Sequence, residues 1–177
     1  MDEIEVPTEH LHEKLQESAL ESAERWIMKV ALTAALLAVF AAITALLAGH
    51  HANEAMIEQV KSSDQWAYYQ AKGIKLAVLE SKMEMLASLD KKPSAKDEDK
   101  MKKYILEQKD IDTKALAYGE SSEQHLTVHN TLAKGVTLFQ ISIAICAISA
   151  LTRKKWLWYA SMILGLAGLV FLGLGIL

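Results

Sequence analysis

The sequence predicts an all-α membrane protein with three transmembrane helices and a long extramembrane antiparallel helical hairpin between the first and second. Three observations predict it. No Asp, Glu, Lys or Arg occurs between Lys29 and Glu54, between Lys134 and Arg153, or from Trp156 to Leu177, and each block approaches the roughly 20 apolar residues that cross a bilayer. Only two prolines occur, Pro7 and Pro93, and between them glycine is limited to Gly49 and Gly73, so little breaks a helix there. Apolar residues outside the blocks recur every three or four positions, the period of a helix with one seam. The 19 basic and 22 acidic residues leave a net charge of −3, which gives no footprint for nucleic acid.

The first 25 residues carry eight acids against Lys14 and Arg25. Thr8 after Pro7 reads as an N-cap, and Leu11, Leu15, Ala19 and Ala23 repeat every four residues, so 1–25 is expected to form an acidic amphipathic cytoplasmic helix. Its charge would be repelled by an anionic leaflet, and its apolar stripe suits another protein helix. The block 26–49 is the first transmembrane helix, too long and too acidic in its lead-in for a cleaved signal. It continues without punctuation into the first arm of the hairpin, 50–133, whose tip is placed near 93–94. On that arm Ile57, Val60, Ala67, Ala71, Ile74, Val78 and Met85 form the expected seam, with Asp64 and Ser81 in it. Met101, Ile105, Ile111, Ala115, Tyr118, Leu126 and Leu132 form its counterpart, with Gln108 and Ser122. Such a two-helix core is thin, which calls for further copies or a partner.

The second transmembrane helix is 134–152, the basic turn 153–155 and the third helix 156–177. Arg153, Lys154 and Lys155 in so short a loop predict a cytoplasmic turn. The N-terminus is then cytoplasmic, and the hairpin and Leu177 lie on the outer side. Trp26, Trp156 and Trp158 stand where interfacial anchors belong, with Tyr159 beside them.

Several groups of residues suggest contacts or chemistry. Ala31, Ala35, Ala38, Ala42, Ala45 and Gly49 alternate at spacings of four and three, a small-residue stripe of the kind that lets helices approach in lipid. Ala34, Ala41, Ala48 and Ala55 form a second stripe every seven residues. Either could pack within the chain or against a neighbour. Gly165 and Gly168 repeat the device in the third helix. Gln140 inside the second block is expected to act as an interhelical polar clamp, because an unpaired amide is costly in lipid. Trp66, Tyr68 and Tyr69 diverge by about 100° per residue on a helix, so some of them are subunit-contact candidates. His125 and His129 leave one helical face. Folding about Pro93–Ser94 would set His129 opposite Glu58 and His125 opposite Ser62, with Glu54, His50 and His51 nearer the membrane. Imidazoles and a carboxylate so grouped are ligands for a divalent ion. No other cofactor is expected. Lone Cys146 has no disulfide partner.

Catalytic patterns are missing. His12-Glu13 starts the H-E-x-x-H zinc motif, but Gln16 stands where its second histidine belongs. Neither a G-x-S-x-G elbow nor a phosphate-binding glycine loop occurs.

Arg25-Trp26, the run ALLAGHHANEA ending at Ala55, and DQWAYYQAK from Asp64 to Lys72 together resemble a bacterial membrane family, domain of unknown function 4337. The resemblance takes in nearly the whole chain, including the acidic N-terminus, Gln140 and the basic turn before WLWYAS. It implies a small bacterial inner-membrane protein, and carries no catalytic residue or cofactor with it. The expected role is a non-enzymatic, homo-oligomeric scaffold, spacer or vestibule in contact with lipid, with an unidentified protein partner as a further contact. The alternative is ion- or metal-linked transport or sensing through an oligomeric pore or the His/Glu cluster.

Overall fold

A computed structural model describes the backbone of residues 8–177 and the side chains of residues 24–177. Three helices and no strand occur among them: α1 from Thr8 to Ser88, α2 from Ala95 to Thr152, and α3 from Lys155 to Ile176. Each of the three contains a stretch long and apolar enough to cross a membrane. From Thr8 onward, the acidic segment, the first apolar block and the residues that follow it to Ser88 are one unbroken helix of 81 residues, as expected where no proline interrupts. The side chains of Thr8, Leu11, Leu15, Ala19 and Ala23 lie outside the described residues.

α1 stops five residues before Pro93. Asp90 takes a left-handed φ of 53°, and the Lys91 N–H donates to the Leu86 carbonyl at 2.9 Å, closing orphan carbonyls of the last turn. Ser94 precedes α2, and its carbonyl accepts from the N–H groups of Asp97 and Glu98. Those two acids also suit the positive end of the helix. α2 ends with Arg153 at φ 54°, and Ser149 Oγ donates to the Lys154 carbonyl at 3.0 Å.

The chain forms two compact units, one up to Ala48 and from Asn130 to Leu177, the other Gly49–His129. In the first, α1 buries Val30, Leu37, Thr44 and Ala48 and half-buries Ala34 and Ala41. These positions alternate at four and three, so one row faces inward. Val30, Leu37, Phe139 and Cys146 form its core, with Trp26, Phe40 and Trp158 packed on it. Phe40 and Phe139 stack with centroids 6.2 Å apart. Gly165 and Gly168 are buried because larger groups occupy their space. A Cβ on Gly165 would lie 2.6 Å from Leu37 Cδ2, and one on Gly168 2.9 Å from the Phe139 ring.

In the second unit, positions 55, 58, 62, 65, 69, 72, 76, 79, 83 and 86 of α1 are buried or half-buried. Their partners on α2 fall in number as those on α1 rise. Ser122 Oγ donates to the Ala55 carbonyl at 2.8 Å, and Ser62 Oγ to the Ala115 carbonyl at 2.9 Å. Lys72 meets Glu107, and Lys82 meets Asp97.

Two expectations are corrected here. The anticipated seam of Ile57, Val60, Ala67, Ala71, Ile74, Val78 and Met85 is wholly exposed. The inward row is offset from that seam: near the membrane-proximal end it carries Ala55 and Ser62, where the serine-to-carbonyl bonds span the helices, and towards the tip it carries half-buried Leu76, Leu79, Met83 and Leu86. On α2, Ile111, Ala115 and Leu132 are buried, Met101 and Tyr118 are half-buried, and Ile105 and Leu126 are exposed. The register also differs from a fold about Pro93–Ser94. Ser62 meets residue 115 and not 125, a slip of ten, because the left-handed Asp90 ends α1 early.

Candidate functional site

The histidines come together differently from the expected metal set. His51 and His125 approach with 2.9 Å between their Nδ1 atoms and ring centroids 5.2 Å apart. One Nδ1 must donate and the other accept, so the bond needs at least one neutral ring. The His51 pKa is lowered by burial first, then by His125 and His50, while Glu54 opposes the shift and His129 adds to it. Glu58 is not part of this group: it accepts from Lys61 at 2.9 Å. Among the described residues, no three His, Cys, Asp or Glu side chains are gathered to hold a metal ion. The ten-residue slip explains this outcome. It puts His125 against His51 and leaves His129 one turn away along α2.

A second cluster was hidden from sequence reasoning. Lys72 is buried, with its Nζ 2.5 Å from Glu107 Oε2 and 5.1 Å from the centroids of both Tyr68 and Tyr104. The Glu107 hydrogen bond is the main reason that the Lys72 pKa is raised, and the lysine in turn holds the Glu107 carboxyl below the usual range. Tyr68 is exposed on its outer side while it walls the lysine. Trp66 is exposed and packs edge-on against half-buried Tyr69 at 5.6 Å. Of Trp66, Tyr68 and Tyr69, only Tyr68 stands over the cation, while the other two pack on each other. A lysine in a charged helix reads as solvated, and no spacing marks it as buried.

The expected packing residues divide. Ala31, Ala35, Ala38, Ala42, Ala45 and Gly49 are all exposed, whereas the row containing Ala34, Ala41, Ala48 and Ala55 lies inward. Gln140 is exposed, because it stands one residue past Phe139 and about 100° around the helix from that core side chain. The polar fastening within the chain is made by others. Ser142 Oγ donates to the Ser161 carbonyl, and Cys146 Sγ lies 3.1 Å from Ser161 Oγ. Among the three tryptophans expected as anchors, Trp156 is exposed. Trp158 turns inward and donates from Nε1 to Thr33 Oγ1 at 3.2 Å. Trp26 also packs on the core, with its Nε1 buried and unpartnered. Arg153, Lys154 and Lys155 are exposed at the turn.

The described residues form an all-helical chain whose three helices each hold a stretch long and apolar enough to cross a membrane. It belongs to the family described as Domain of unknown function (DUF4337), whose model matches residues 26–177. No curated protein and no solved structure matches it.

Proposed function

We propose that this chain is a non-enzymatic, oligomeric scaffold or spacer of a bacterial inner membrane, in which residues 50–133 form a helical hairpin standing outside the bilayer. One observation carries this reading. In the unit Gly49–His129 the buried apolar side chains are Ala55, Ile111 and Ala115, and they share the interior with Ser62, Lys72, Asp97 and Ser122. The larger apolar residues of the α1 row, Leu76, Leu79, Met83 and Leu86, are only half-buried, and a two-helix core of this kind is a weak basis for an independent pair of helices. Neighbouring copies would supply the rest. The exposed alanine stripe offers a route to them, since small residues allow close helix contact in lipid.

Orientation follows from the basic turn, Arg153 to Lys155, which favours the cytoplasmic side. On a Cys146→Ser background, a cysteine at Ser94 should react with an impermeant reagent in intact cells and one at Lys154 should not. The reverse pattern contradicts the reading. Assembly has its own test: Ala38→Leu/Ala42→Leu should reduce particle size in mild detergent, while Val39→Leu should not. Equal sizes for the unaltered chain and both variants remove the stripe from the assembly.

A second reading, ion-linked sensing, has the His51–His125 contact in its favour. Protonation of both rings would break that bond and separate α1 from α2 at this level.

A further inference from the structure

In the unit Gly49–His129, α1 and α2 present unlike outer faces. Directly opposite its buried row, α1 exposes Ile57, Val60, Ala67, Ile74, Val78 and Met85, spaced by threes, fours and sevens. Ile57 is 46% exposed, Ile74 67% and Met85 68%. The corresponding outer row of α2 is polar: Lys103, Asp110, Thr113, Glu120 and Gln124 are all exposed. Its exposed apolar residues, such as Leu106 and Leu116, stand among those charges, and singly exposed apolar residues are ordinary. The α1 row is different in kind. From Ile57 to Met85 it runs about 42 Å at 1.5 Å per residue. At one helix width, about 10 Å, that is on the order of 400 Å², interrupted by Asp64 and Ser81, and within the roughly 300–600 Å² of the largest apolar patches on single chains, which are often functional.

We infer that this α1 face docks against the same face of a second copy, with the two helices parallel. The inference rests on the oligomeric reading above and specifies its contact outside the membrane. The spacing identifies the occupant as a helix with a matching seam, because apolar residues repeated every 3.5 positions pack against another such row. Within this unit, α1's own row is the surface that matches. A two-fold axis between copies brings identical patches together, the usual arrangement of a homodimer.

Charge selects the direction. Lys61, Lys75 and Lys82 line one edge of the row, Lys61 paired with Glu58 and Lys82 with Asp97, and Met56, Gln70, Ala77 and Glu84 line the other. Parallel helices set opposite edges together, so each lysine edge meets an edge that carries no lysine and bears Glu84. Antiparallel helices would set the lysine edges against each other. Copies anchored in one membrane also run the same way. Asp64 is the one charged residue in the row, and parallel pairing brings it opposite its twin. A single polar position of this kind fixes register at a cost in stability.

Disulfide trapping in native membranes tests the contact, using the full chain with Cys146→Ser. Single cysteines at Ala67 and Ile74 should oxidise to a species of twice the chain mass, because facing seam positions bring Cα atoms within the span a disulfide allows. A cysteine at Thr113 should give at least about five-fold less, its row being the polar one. Asp64→Asn should raise the trapped fraction at both seam sites. Equal trapping at 67, 74 and 113, or a product at 67 and 74 with a mass other than two chains, overturns the inference. A cysteine at Ala38 separates the two readings. Trapping at 38 without trapping at 67 or 74 leaves the oligomer standing and removes this interface. No trapping at any site, together with a particle of one chain, removes both.

Discussion

His51 and His125 share a single hydrogen bond across α1 and α2, Nδ1 to Nδ1 at 2.9 Å. Burial and the neighbouring histidines hold the His51 pKa below 6.5, so the folded chain favours the neutral ring. A group of this kind contributes stability above the unfolded value and loses it as pH falls through about 6.5 towards the lowered folded value. The thermal midpoint should therefore fall between pH 7.5 and 5. His125→Phe should flatten that fall and cost about 1 kcal/mol at pH 7.5, the net worth of one hydrogen bond. An unchanged slope in the variant would assign the pH dependence elsewhere.

Lys72 and Glu107 titrate at opposite ends of the scale. Glu107 is lowered, so its contribution is present above its unfolded pKa and lost as pH falls through the lowered folded value; Lys72 is raised, so its contribution is present below 10.5 and lost above it. Glu107→Gln leaves the buried lysine without its countercharge, whereas Lys72→Met keeps apolar bulk between Tyr68 and Tyr104. The first should lower the unfolding midpoint more than the second, because an orphaned buried charge is worse than none. Calorimetry of the two variants at pH 7 decides it, and the opposite order would contradict the caged geometry.

Gly168 is held against the Phe139 ring, while a Cβ on Gly173 would meet nothing within 4 Å. Gly168→Ala should cost about 1–3 kcal/mol, the usual penalty for overpacking. Gly173→Ala should be neutral or gain up to about 1 kcal/mol from helix propensity. Denaturation in mixed micelles would measure both, and equal effects would place Phe139 away from α3.

Much of the fold was legible because breakers and charges are sparse. Pro93 and the three uncharged blocks give the helices, and Arg153 to Lys155 give the last turn. The inward face was not legible. Period alone shows that α1 carries apolar rows, and Ile57, Ile74 and Val78 outweigh Ala55, Ser62 and Lys72 on any scale of apolarity. Yet the row that faces α2 starts with Ala55 and Ser62, where serine-to-carbonyl bonds require close approach, and only towards the tip does it turn apolar at Leu76, Leu79, Met83 and Leu86. The histidine pairing failed for a related reason. Asp90 rather than Pro93 ends α1, and nothing in an Asp-Lys-Lys run announces a left-handed residue. Gln140 was read by its cost in lipid, which says that it needs a partner and not which face it lies on.

Asp90 offers a direct check on that turn. A non-glycine residue at φ 53° carries a steric cost of roughly 1–2 kcal/mol, which glycine does not. Asp90→Gly should stabilise the folded chain by about 1 kcal/mol, with the Lys91 to Leu86 bond retained. A loss of stability would mean that the Asp90 side chain, and not its backbone, holds the turn.

Subunit count tests the central claim most directly. Native mass spectrometry of the full chain, released from a mild detergent that preserves membrane assemblies, should give particles holding two or more copies of the 19.6 kDa chain. Ala38→Leu/Ala42→Leu should shift them towards smaller species. Particles of a single chain at every concentration and in every mild detergent tried would contradict the oligomeric scaffold.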